Sequence, residues 1–137
     1  MTSKLVLDNL AGRTTAGSIA VVAEGNGTTT NLQQGLAKAW ASIYHNSGTP
    51  TTKDAFNIAS YTDSGTGNIK PNLTSAMANT GYTVTSAGWG IASWLDRDTG
   101  AMFSSTSQYQ IYNTENNGAI DVTSTYPIST TVHGDLA

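Results

Sequence analysis

From residue 37 onward the chain alternates. Ala39, Ala41 and Ile43 share one parity, while Lys38, Trp40, Ser42 and Tyr44 share the other. A period of two is what a β-strand imposes on a half-buried segment. The pattern predicts a strand over roughly 38–45, with Trp40 opening the first core strand. AFNIASYT (55–62) reads as a second strand, with Phe56, Ile58 and Ser60 on one face. DSGTGN (63–68) is a glycine-rich turn, and NIKPNL (68–73) is its return strand. Pro71 has no N–H to give to a ladder, which predicts an edge position. YTVTSAGWG (82–90) sets Tyr82, Val84 and Ser86 on one side. QYQIYN (108–113) opposes Tyr109 and Ile111 to Gln110 and Tyr112. DRDTG (96–100) and ENNG (115–118) read as hairpin turns, and AIDVTSTYPISTTV (119–132) supplies a last strand or two. Short strands between polar turns, with no internal repeat, predict an all-β fold over 37–137: a compact antiparallel β-sandwich, jelly-roll-like.

Residues 1–36 follow another pattern. Leu32, Leu36 and Trp40 lie at i, i+4 and i+8, the spacing of one helical face. Thr30 or Asn31 suits the cap, but Gly35 costs about 1 kcal/mol in a helix interior. The expectation is a short helical turn through Gly35, leading into the strand. Before it stand only two apolar runs, 5–7 and 19–22, and a Gly25-Asn26-Gly27 turn signal. So little apolar mass does not fold by itself. Residues 1–36 therefore read as an extended N-terminal arm for docking or assembly. Leu5, Leu7, Ile19, Val21, Leu32 and Leu36 are its candidate interface residues.

Composition sharpens this picture. Leu, Ile, Val and Phe together make 24 of 137 residues, below the roughly 20% at which disorder becomes a question. Disorder also needs high net charge, and here it is only −3, with three Trp and six Tyr adding apolar area. The result is a folded domain with a thin core, which oligomerisation commonly supplements. Charged residues are 11% of the chain, with no run of either sign, so nothing points to nucleic acid or to a membrane surface. With no cysteine there is no disulfide framework, thiol nucleophile or Cys-based zinc site. The LVL run at 5–7 is broken by Asp8 and is far too short for a signal-peptide core.

Candidate chemistry is sparse. His45 and His133 are the two histidines, and no G-x-S-x-G elbow accompanies them. A surface or strand-end histidine is the simpler reading. Asp96, Asp98 and Gly100 make D-x-D-x-G, but the further oxygen ligands of a calcium loop do not follow, and a hairpin turn explains the same residues. Asp63, Glu115 and Asp121 are isolated, so no glycosidase pair is evident. The sequons at Asn26 and Asn72 carry weight only on a secretory route, and GNGTTTN lacks the Gly-Lys-Ser/Thr of a phosphate loop. Trp40, Trp89 and Trp94 are candidates for a sugar-stacking platform, Trp89 and Trp94 with nearby Tyr82 the best of them, against the commoner reading of aromatics as core or subunit interface. No cofactor is expected.

One resemblance goes further. Residues 3–40, SKLVLDNLAGRTTAGSIAVVAEGNGTTTNLQQGLAKAW, resemble the opening of a family of virion proteins from tailed phages of marine and freshwater bacteria, cyanophages among them. The motifs are K-L-x-x-D at 4–8, TTAGSI (14–19), EGNGTTTNLQQGLAKAW (24–40), FNIASYTDSGTGN (56–68) and VHGDLA (132–137). Residues 86–127 depart most from the pattern. The resemblance implies a non-enzymatic structural protein of the virion surface, either a small capsid-decorating (cement) protein or a short tail fibre. It implies a homotrimer made in the host bacterial cytoplasm, with a major capsid or tail protein as partner. The competing expectation is a tail-fibre module that recognises host surface carbohydrate through Trp89, Trp94 and Tyr109. A depolymerase ranks third.

Overall fold

Alternation becomes strand wherever a second strand offers a ladder. The structure is a computed structural model that describes residues 4–13, 19–22, 29–46, 49–88, 97–115, 118–119 and 127–137. Contacts divide the chain into two units, Met1–Leu36 and Ala37–Ala137.

In the first unit, residues 4–13 carry no helix or strand. Strand β1 (Ala20–Val22) pairs antiparallel with β2 (Thr29–Asn31), and helix α1 (Leu32–Gly35) follows as a single turn. The Leu32 amide donates to the Ile19 carbonyl at 2.9 Å, which ties the turn to the hairpin. The expected extended arm thus contains a hairpin from residue 20. The Gly25–Gly27 turn signal lies outside the described residues.

The second unit is an all-β sandwich of two antiparallel sheets. One has the order β4 (Thr49–Phe56), β3 (Ala39–Asn46), β11 (Ile128–His133), β7 (Thr83–Gly88). The other contains β5 (Ile58–Asp63), β6 (Asn68–Leu73), β9 (Gln108–Glu115) and β8 (Arg97–Ser105) in that order. Short β10 (Gly118–Ala119) pairs with the end of β9, past β6. Inward residues are Ala39, Ala41, Ile43, Ile128 and Val132 from the first sheet, and Ile69, Pro71, Leu73, Tyr109 and Ile111 from the second. The parity of β3 is as expected, but the face is not. The small Ala39–Ala41–Ile43 side is buried, and Trp40 points outward, 38% exposed.

Small residues on one sheet make room for a large one on the other. Ala55, Ala41, Thr130 and Ser86 form one cross-strand row of the first sheet. Tyr109, 0% exposed, reaches that row from the second sheet, its hydroxyl 2.7 Å from Thr130 Oγ1. Close packing and a satisfied buried hydroxyl substitute for the missing Leu and Val. Tyr61 hydrogen-bonds in a similar way across to Thr52 of β4. The Tyr82 hydroxyl lies 2.8 Å from both the Ser105 and Gln108 carbonyls, clamping the β8–β9 turn.

The sheets are joined by a one-residue corner. AFNIASYT is two strands, because Asn57 adopts φ 58° between β4 and β5. Its amide nitrogen donates to the Lys38 and Ser75 carbonyls at 2.9 and 3.1 Å, and its Oδ1 accepts from the Ser75 amide at 2.7 Å. Asparagine is the non-glycine residue that tolerates this backbone best. The DSGTGN turn forms as expected: Asp63 Oδ1 accepts from the Gly65 amide at 2.8 Å, and Gly65 and Gly67 take φ 106° and 70°.

Two further expectations need correction. Strand β6 is interior rather than at an edge, pairing with β5 and β9. The ladder to β9 skips Lys70 and Pro71, so the absent donor falls in a gap, and the buried ring fills the core. Arg97–Gly100 belong to β8, opposite Glu115 to Tyr112, and are not a turn. The turn falls later, at Thr106–Ser107.

Two outcomes follow for stability. Asn57→Ala loses three side-chain bonds and strains the backbone, and is expected to lower urea-measured stability by about 3–5 kcal/mol. Asn57→Gly relieves the strain and should cost about 1–2 kcal/mol less. Burial pushes the Tyr109 phenol above its ordinary value. Its contribution is complete below the unfolded phenol pKa of about 10 and falls above it, because the unfolded chain releases a proton that the folded one keeps. Unfolding measured between about pH 9 and 11 should therefore fall more steeply for the native chain than for Tyr109→Phe.

Candidate assembly interface

A folded segment normally hides part of its apolar surface. In Met1–Leu36 none of the residues whose side chains are described is buried. Leu5 is 81% exposed, and Val6, Leu7, Leu10, Val21, Val22 and Leu36 are all more than half exposed. Strand β1 is exposed at all three positions, since a hairpin of two strands has no layer beneath it. Four of the expected interface residues, Leu5, Leu7, Val21 and Leu36, are thus open to solvent. Ile19 and Leu32 are partly covered, and the backbone bond between them brings these two together. Val6, Leu10 and Val22 are also exposed and were not among the expected residues; the signal of Val6 and Val22 was present in the same apolar runs, since an unpaired segment, or a two-stranded hairpin, exposes both parities.

The chemistry of this surface is apolar and nearly neutral. Its charges in sequence are Lys4, Asp8, Arg13 and Glu24, which cancel. Covering an exposed Leu or Val contributes about 1.5–3 kcal/mol per side chain. Without a net charge, copies brought together do not repel through this segment. The arrangement suits protein–protein contact rather than catalysis.

Of the expected carbohydrate-recognition set, only Tyr109 lies among the described residues. Trp89 and Trp94 lie outside the described residues. Tyr109 projects inward from β9 and bonds to Thr130, so its ring has no face for a ligand. Among the described residues the histidines and carboxylates form no cluster of three or more. His133 is partly exposed at the end of β11, and the His45 side chain lies outside the described set. Asp63 serves the β5–β6 turn, while Asp96, Asp121 and the Glu115 side chain lie outside the described residues. Among the described residues no group of three metal-ligating side chains occurs, and no helix is long and apolar enough to cross a membrane.

On the outer face of the second sheet the amides of β6 and β9 bond to one another, while Met102 and Tyr112 stay exposed on the same face. Gln108 donates to Asn72 Oδ1 at 2.6 Å, and Asn72 donates to Ser60 and Thr62 at 3.0 and 3.1 Å. Gln110 donates to Asn68 at 2.7 Å. These bonds cross three strands and hold the amides flat. No protein-family model, curated protein or solved structure matches the chain.

Leu5→Asp, Leu7→Asp and Leu36→Asp should weaken self-association in sedimentation velocity. The unfolding midpoint of the sandwich should move by no more than about 0.5 kcal/mol equivalent, because the replaced side chains are exposed. Equal loss of both would place these residues in the core of the domain.

Proposed function

We propose that this protein is a non-enzymatic structural component of a tailed-phage particle surface, a small capsid-decorating or short-fibre protein that assembles as a homotrimer. The carrying observation is an N-terminal unit with no buried residue among those whose side chains are described, and seven exposed large aliphatic side chains. Such a unit acquires its stability from another surface. The resemblance of residues 3–40 to virion proteins supplies the kind of surface: neighbouring copies, and a major capsid or tail protein. The sandwich at 37–137 has its own core and is the part displayed. In this reading the protein is made in the host bacterial cytoplasm and resides in the virion.

Two measurements test it. Sedimentation equilibrium at micromolar concentration should return three times the 14.3 kDa chain mass. Gold-labelled antibody should decorate intact particles at regular positions on the capsid or tail. Particles without label would overturn the virion reading, and a monomer mass in solution would overturn the trimer.

A further inference from the structure

Large aromatics on the outer face of a sheet need a reason, and one pair here has neighbours that suggest one. Trp40 of β3 and Phe56 of β4 are direct cross-strand partners, so their side chains share a face. Ala39 and Ala41 are buried on the opposite side, which fixes that face as the outer one. Trp40 is 38% and Phe56 52% exposed. Thr131 of β11 is the other cross-strand partner of Trp40. The next row on the same face is Asp54, Ser42 and Ser129. Residues two apart on a strand are separated by about 7 Å, and adjacent strands by about 5 Å.

We infer that this face is a binding site for a neutral hexopyranose, stacked on Trp40 and Phe56 and hydrogen-bonded through Asp54 and Ser42. The aromatic row is apolar and exposed, as the C–H face of a pyranose requires. The second row supplies the polar half: a carboxylate and two serine hydroxyls, one pleat away. Asp54 Oδ1 accepts from the Ala55 amide at 2.9 Å, which orients the carboxylate and leaves Oδ2 for ligand hydroxyls. A negative charge at that position disfavours an acidic sugar.

Size decides between a sugar and a protein partner. Rings of about 150–250 Å² each, exposed to this extent, present about 200 Å² together. A standard protein interface covers about 800 Å² on each partner. Ser42, Ser129, Asp54 and Thr131 bound the patch with hydroxyls and a carboxylate, so the apolar area does not continue along these rows. Two rings beside a polar row match a sugar ring and fall well short of a subunit contact.

The test is isothermal titration of the full chain with linear oligosaccharides of glucose, galactose, mannose and rhamnose. Saturable binding to at least one series is expected at millimolar or lower concentration. Trp40→Ala and Phe56→Ala should each weaken it at least about tenfold, with Trp40→Tyr retaining part of the affinity. Asp54→Asn should weaken it, and Tyr112→Ala, on the other sheet, should not. Circular dichroism and urea unfolding of each variant establish that the sandwich is intact. Failure of every series to saturate overturns the inference, as does unchanged affinity in folded Trp40→Ala. If Trp40→Ala instead lowers the sedimentation mass, the pair is a contact between copies and the sugar site is rejected. Neither result bears on whether the N-terminal unit drives assembly, which is read from the Leu5, Leu7 and Leu36 variants.

Discussion

The sandwich turns on one asparagine. Asn57 lets the chain leave the first sheet and enter the second within a single residue, and its amide then holds two other segments in place through the Lys38 and Ser75 backbone. A longer connection would let the sheets drift in register. A corner this tight commits β4 and β5 to adjacent edges of opposite sheets, and every later strand is added to that frame. The left-handed backbone costs on the order of 1–2 kcal/mol, which three side-chain hydrogen bonds to the backbone offset.

Within that frame the core is economical. A chain with few Leu and Val brings its sheets together over small side chains and fills the gap with tyrosine, whose hydroxyls find partners across the sandwich. The C-terminal segment closes one end: Met77 pairs with Leu136, and a Cβ at Gly134 would come within 2.7 Å of Met77 and Tyr82. Among the described residues of the first 36 no such device occurs. Most of their leucines and valines face solvent, and that contrast between a self-sufficient domain and a dependent segment underlies the assembly role proposed for them.

The two outer faces of the sandwich differ in kind. On one, amides and hydroxyls bond to each other across β5, β6 and β9. On the other, an aromatic pair stands beside a row of hydroxyls and a carboxylate. The amides of the first face are bonded among themselves, with Met102 and Tyr112 exposed beside them; on the second, an exposed aromatic pair adjoins the polar row, which is the chemistry proposed for a sugar.

Much of this was legible in the sequence. Alternation at 38–45 and 108–113, the Asp63–Gly67 turn and the change of pattern near residue 36 are local, because a period of two and a positive φ are demands made on neighbouring residues. The candidate interface was legible in part, through apolar runs too short to make a core. The tertiary structure decided the rest. Alternation says that the faces of β3 differ, and only the opposing sheet, with Tyr109 needing room, selects the alanine side as the inner one and leaves Trp40 outside. The same holds for β6: Pro71 forbids one hydrogen bond, and whether that bond is required depends on a partner strand some forty residues away in sequence. Period and turn chemistry are properties of neighbours along the chain, whereas burial and strand order depend on contacts between distant residues.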